Sequence, residues 1–302
     1  MLHLNTTNIP ELRPESVDQI FGSAPDMTRV HALTETDRVE MLRFLAERPV
    51  HTVVMTSFII DNGVVSDLNR GRFFAYRNAA NDIEGVALIG HSTLVEARSN
   101  EALKALAVAA RSSETPIHLV MSSGTAAEDF WQHMTDGLTS PRLTCIENLF
   151  EVKFPFSVQN SEWKIQHADN SHLNVVAAAQ AEVAFMECGV DPLVRDRESF
   201  LKRVARRIEK NRVYVALDGD EVIFKATIVA ETDSVAYLEG IWVHPEYRGR
   251  GIGSKCLSAV ALDLLSRVEH ICLLSNVEFV GAHKSFQKAG FRHTDECVTL
   301  FV

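Results

Sequence analysis

Residues 235–261 read VAYLEGIWVHPEYRGRGIGSKCLSAVA, and the reading of the whole chain turns on them. The apolar run over 235–243 has the length and composition of a strand. His244, Pro245, Glu246 and Tyr247 form a turn. Gly249, Gly251 and Gly253 then fall at alternate positions, just ahead of a helix with Ile252, Cys256, Leu257 and Val260 on its apolar face. Glycines let the backbone turn without a Cβ clash, so successive N–H groups can point at one oxyanion. The start of the helix adds the positive end of its dipole. Arg248 and Arg250 supply full charges, and Lys255 offers a third. The pattern predicts a cradle for a diphosphate.

Other phosphate motifs fit less well. A Walker loop needs Lys followed by Ser or Thr after its last glycine, whereas Gly253 is followed by Ser254 and Lys255, the reverse order. The dinucleotide fingerprint fails because the glycines stand at 249, 251 and 253. The run VHPEYRGRGIG over 243–253 instead resembles the acetyl-CoA signature of the GNAT acyltransferases, Arg/Gln-x-x-Gly-x-Gly/Ala after a Val-x-Pro turn. A second stretch, NVEFVGAHKSFQKAGF over 276–291, is similar to the family's Asn…Ala…Tyr…Gly-Phe segment. The resemblance covers about 163–302. It implies an α/β domain with a mixed, mostly antiparallel sheet flanked by helices, and acetyl-CoA as co-substrate. It also implies that the turn from Arg248 through Gly249, Arg250, Gly251, Ile252 and Gly253 to Ser254 binds the pyrophosphate. On the same basis the backbone of Ile241, Trp242 and Val243 pairs with the pantetheine arm, and Asn276 hydrogen-bonds that arm. Phe286 stands where the family carries its general-acid tyrosine, at the same point against the cofactor.

At 302 residues the chain exceeds what one core usually holds, so two domains are expected. A composition of 46% hydrophobic and 23% charged residues is that of a globular protein. The net charge of −10 argues against nucleic acid or an anionic membrane as the main partner. No apolar run approaches the ~20 residues of a membrane helix, and residues 1–10 lack the marks of a signal peptide. A cytoplasmic location is expected. Five cysteines without a Cys-x-x-Cys pair suit reduced thiols. With no His-x-x-x-His pair either, no metal is expected. Oligomeric state leaves no mark.

Taken in order, residues 1–28 read as an arm with one short helix over 14–21 at most, 29–33 as a strand, and Thr34 with Asp37 as a helix start. Residues 50–60 suit a strand or a buried helix equally. A hairpin (72–77, 85–90), a strand (93–97), a helix capped by Asn100, a strand (117–121), a helix (125–134) and an alternating strand (144–154) follow. Residues 154–162 are the expected linker. After it the same order of elements recurs, ending in a strand over 295–302. The chain therefore reads as two tandem domains, 1–155 and 163–302. Where the second has its glycine turn the first has Glu96, Ala97, Arg98, Ser99 and Asn100, so the first half is expected to be a degenerate copy that holds no cofactor.

Acyl transfer to an amine needs a base for the ammonium, a donor for the tetrahedral oxyanion and a proton for the departing thiolate. Glu239 is a carboxylate in an otherwise apolar strand, where burial moves an acid toward neutral pKa, so it is the candidate base. Strict alternation would place Tyr237, Ile241 and Val243 on its face. Tyr237 could hold a relaying water, and the amide near Val243 is the expected oxyanion donor. Gly240, in mid-strand, suits a bulge. Phe286 cannot donate a proton, and His283 and Ser285 on its helix are candidate substitutes. The expected activity is acetyl transfer from acetyl-CoA to a primary amine of a small molecule. A peptide or protein amine as acceptor, or a non-catalytic acyl-CoA sensor, are the alternatives. The loop over 188–197 is expected to help shape the acceptor pocket.

Overall fold

The structure, a computed structural model, describes residues 24–302; the short helix expected within 14–21 lies outside them. Strand β1 (Val30–Ala32) leads into a turn in which Thr34 and Asp37 cap each other's backbone, and helix α1 (Arg38–Leu45) follows. The ambiguous apolar run is helix α2 (Pro49–Asn62). Pro49 at the helix start presets φ where no N–H is needed, and the run is too long for a typical strand. The first half continues as β2 (Gly71–Arg77), β3 (Ile83–Gly90), β4 (Ser92–Ala97), α3 (Asn100–Ala110), β5 (Leu119–Ser123), α4 (Ala126–Thr135) and β6 (Leu143–Val152). Ser99, one residue before the expected Asn100, caps α3: it is extended, and its hydroxyl accepts from the N–H of Ala102 at 3.2 Å.

The second half repeats this order with one short helix added. It runs β7 (Ile165–His167), α5 (Leu173–Cys188), α6 (Pro192–Arg195), α7 (Arg197–Glu209), β8 (Val213–Asp218), β9 (Glu221–Glu231), β10 (Val235–Val243), α8 (Ile252–Leu264), β11 (His270–Asn276), α9 (Val280–Lys288) and β12 (Arg292–Phe301). Each half is a largely antiparallel meander with one parallel pair, β4 with β5 and β10 with β11.

All twelve strands of the described residues form one sheet in the order β1-β2-β3-β4-β5-β12-β6-β11-β10-β9-β8-β7. The last strand of each half has crossed over: β12 pairs with β5 of the first half, and β6 pairs with β11 of the second. β6 and β12 lie antiparallel to each other, from Arg292 opposite Glu151 to Phe301 opposite Leu143. The connection between the halves falls in the expected linker, but hydrogen bonding runs through the seam without a break. Helix α2 packs across that seam onto β9, β10 and β11. Val53, Leu149, Val235, Tyr237, Cys272 and Cys297 make the seam's own apolar cluster.

Candidate active site

The glycine turn has the form that an oxyanion cradle requires. Gly249 and Gly251 both have φ +79°, a conformation that excludes other residues at little cost. A Cβ at either would point into open space. Among the described residues, none of the N–H groups from Gly249 to Ser254 donates to a protein acceptor, as befits a helix start waiting for an anion. Gly253 serves packing instead: a Cβ there would come within 3.1 Å of both Ser285 and Val243. These residues line a cleft of about 510 Å³ together with Ile241, Trp242, Val243 and residues of α9. Donor type, backbone conformation and room all fit a pyrophosphate.

The charges differ from the expectation. Arg248 lines the cleft, but it is tied to Glu182 at 2.8 Å and to the carbonyl of Val243 at 3.0 Å. Arg250 lies over the ring of Tyr247, 5.3 Å from its centroid, and takes no part in the lining. Lys255 turns to Glu162 at 3.4 Å. Among the described residues, the cleft's cations without an acidic partner are Lys284 and Lys288 of α9, which carry no mark in the sequence because the turn already holds enough charge for an anion. Ser254 also lines the cleft, its hydroxyl donating to the carbonyl of Gly251 at 3.0 Å.

Next to the cradle, β10 and β11 part. They pair only from Val235 to Leu238 against His270 to Leu273. Beyond that point the gap between them opens into a second cleft of about 400 Å³ lined by Glu239, Gly240, Ile241, Leu274, Ser275 and Phe286. Gly240 is the expected bulge: φ is +57°, and the register with β9 slips between Glu239 and Trp242. Its carbonyl accepts from the buried ammonium of Lys225 at 2.9 Å. Burial, more than the nearby charge of Arg207, lowers that lysine to a pKa of about 7. The bulge corrects the expected facing. The extra residue shifts the alternation by one, so Ile241 and Val243 pack with Ala236 and Leu238 toward α8, while Trp242 packs on the opposite side with α5 and α7. Of the three residues expected on the face of Glu239, Tyr237 alone is there, and its hydroxyl donates to that carboxylate at 3.1 Å.

Behind Glu239 lies a third space, about 290 Å³, between the two halves. Glu147 of β6 and Glu187 of α5 line it beside Glu239, with Asn276, Tyr237 and Thr299. Glu147 is half-buried and Glu187 is exposed as a whole, but the protein crowded around both carboxyls disfavours their charged forms. Desolvation and then the charge of Glu239 raise Glu187 to about 8. Desolvation raises Glu147 to about 7, against a hydrogen bond from Thr299 and with the charge of Glu239 adding to the rise. Asn276 stands on this wall and takes no part in the two clefts. Its side-chain oxygen accepts from the N–H of Glu278 at 2.9 Å, and its carbonyl meets Nε2 of His283 at 3.0 Å. Phe286 is buried, lines both clefts and packs edge-on against Phe150 with ring centres 5.6 Å apart. Neither Glu147 nor Glu187 was singled out in the sequence, although Glu147 carries the signal that marked Glu239: an acid in register with the buried Cys145 and Leu149 of its strand.

The corresponding corner of the first half is closed. Glu96, 3% exposed, is gripped by Arg48 at 3.0 Å and by Arg98, and Ser99 already occupies the start of α3.

Residues 209–293, which hold the cradle and both parted strands, match the family model of the acetyltransferase (GNAT) domain. No curated protein matches the sequence. Solved structures do. An acetyltransferase of the GNAT family from Colwellia psychrerythraea is 12% identical, with 90% of this chain and 98% of its own covered and a TM-score of 0.52. A tandem GNAT protein from the clavulanic acid biosynthesis pathway is 11% identical over the same shares, with a TM-score of 0.55. A GCN5-related N-acetyltransferase from Sphaerobacter thermophilus is 12% identical over 89% of this chain and 93% of its own, with a TM-score of 0.57. At such identities the likeness is one of fold, and it spans both halves. The chain thus carries a region that matches the acetyltransferase (GNAT) domain over the site, within a fold that GNAT-family structures share across both halves.

Proposed function

We propose that the protein transfers an acetyl group from acetyl-CoA to the primary amine of a small molecule by direct attack on the thioester. The observation that carries this reading is the continuity of three spaces: an open glycine cradle, a cleft between parted strands, and a cavity of carboxylates beyond it. The residues present fit coenzyme A, which would bring an activated acyl group and a thiol leaving group. The amides of 249–254, with Lys284 and Lys288, hold the pyrophosphate. The unpaired edge of β10 at Ile241, Trp242 and Val243 receives the pantetheine as an added strand. The backbone at Val243 stabilises the oxyanion.

Glu239 accepts a proton from the incoming ammonium, either directly or through a water held by Tyr237. The amine nitrogen then bonds the acyl carbon, the carbon–sulfur bond breaks, and the second amine proton leaves so that the products are an amide and a thiol. Phe286 offers the sulfur no proton, but a thiol of pKa ~8.5 leaves without much help. Calorimetry with CoA, followed by thiol release from acetyl-CoA over a panel of amines, amino acids and peptides, tests the reading. A single site and amine-dependent thiol release, lost in Glu239→Gln with CoA affinity kept, is the expected result. CoA binding without release by any amine would instead make the protein a sensor, and release with peptides alone would move the acceptor to a polypeptide. No CoA binding at all would overturn the assignment of the turn.

A further inference from the structure

The cavity behind Glu239 is lined by three carboxyl groups and a guanidinium. The carboxyls are those of Glu147, Glu187 and Glu239, and the walls are apolar, with Val54, Phe58, Leu94 and Met121 contributed by the first half. Arg207 of α7 lines the same cavity. The charges that weigh on Glu187 are Glu239, Glu147 and Lys225, and on Glu147 only Glu239. Among the described residues, Arg207 forms no ion pair with any of the three acids, although it lines the same cavity.

Arg207 is one of a group. Arg203, one helical turn earlier, is held below the usual guanidinium range by burial first and then by Arg70, with Arg207 also contributing. Across the seam, the rings of His91 and His118 meet at a tilt of 57° with centres 4.3 Å apart. Burial pushes His91 down to about 4, and Arg70, His118, Arg195 and Arg203 add to the effect. Ser92 and Leu119, the residues next to these two histidines, line the cavity. Among the described residues, Arg70, Arg203 and Arg207 have no carboxylate at ion-pair distance. Asp196, the acid that does act on Arg203, is engaged in capping Ser199 at 3.2 Å. In a chain with 40 acidic residues and a net charge of −10, arginines from both halves meet here without a carboxylate, and the half-buried Arg207 among them faces the cavity.

We infer that the acceptor is a zwitterion, with a primary ammonium among Glu147, Glu187 and Glu239, an apolar spacer, and an oxyanion (carboxylate or phosphate) facing Arg207 and its neighbours. This rests on the acyl-transfer reading, and its test is arranged to fail separately. An apolar monoamine leaves the cations unanswered, and a diamine puts a second positive charge against them.

The test is calorimetry on the full chain saturated with CoA, using unbranched probes from aminopropyl to aminohexyl that end in methyl, a second amine, a carboxylate or a phosphate. At the best length, a carboxylate or phosphate end should bind at least tenfold tighter than the methyl or amine end, and the tighter of the two names the oxyanion. Arg207→Met should remove that preference, with CoA affinity serving as the folding control. A diamine or monoamine that binds as tightly, no binding by any probe, or a preference that survives Arg207→Met overturns the inference and leaves the CoA site standing. Failure of CoA itself to bind overturns the acyl-transfer reading instead.

Discussion

Gly251 and Glu187 show how far single residues can be read from letters alone. The φ of +79° at Gly251 and the open space beyond it were foreshadowed by glycine spacing, since few other residues tolerate that backbone. Gly251→Val should therefore weaken CoA binding at least tenfold, about 1.4 kcal/mol, because the strained turn no longer aims its amides together; unchanged affinity by calorimetry would remove the cradle from the site. Glu187 left no such mark, because its surroundings come from three separate elements. Its folded pKa of about 8 lies above the ordinary value of 4.5, chiefly through burial. An acid raised in this way lends the fold stability that is complete below the unfolded pKa and is lost as pH rises through about 8. Glu187→Gln should accordingly raise Tm relative to the parent at pH 9 and change it little at pH 5. Equal differences at both pH values would mean that the carboxyl is not held neutral.

Elements defined by local chemistry were legible, and those defined by distant partners were not. The two hairpins, the signature strand and the helix after the glycines follow from alternation and turn residues, and they stand where the sequence put them. The run that became α2 was ambiguous because it is apolar on every side, and its position across the seam is the reason: both flanks are covered. The facing of β10 was misread past Gly240 because alternation counts residues and cannot count a bulge. The charged residues of the cleft were misassigned for a similar reason, since Arg248 and Lys255 find acids from α5 and the linker that no spacing reveals. At Gly240 the element can be tested directly. A Cβ there would lie 2.3 Å from Gln180 Oε1 and 2.6 Å from Lys225 Nζ, so Gly240→Ala must displace a buried ammonium from its acceptors. A loss of about 2 kcal/mol or more in urea unfolding is expected. A loss under ~1 kcal/mol would show that the bulge relaxes at will and does not fix the mouth of the cleft.

Across the whole molecule, the repeat of elements was visible in the sequence, but the exchange of final strands was not, because both arrangements use the same letters in the same order. The halves are unequal where it counts: Glu96, Arg48 and Arg98 fill the first corner that glycines leave open in the second. Titration should therefore find one CoA per chain, and two would mean that the first corner opens. The exchange also bears on independence. Residues 163–302 alone lack β6, the neighbour of both β11 and β12, and should be aggregated or unfolded until residues 1–155 are supplied in trans; a soluble fragment with a cooperative thermal transition would contradict this. The same crossing sets a timetable for synthesis. A ribosome that has just released β6 must add about 120 residues before β11 exists, roughly 6–24 s at ordinary elongation rates, and β12, which fills the space between β5 and β6, comes later still. Until then the nascent first half carries open strand edges of the kind that recruit foreign strands, so the crowded polysome, where identical chains emerge side by side, is where this architecture is most exposed to joining the wrong copy.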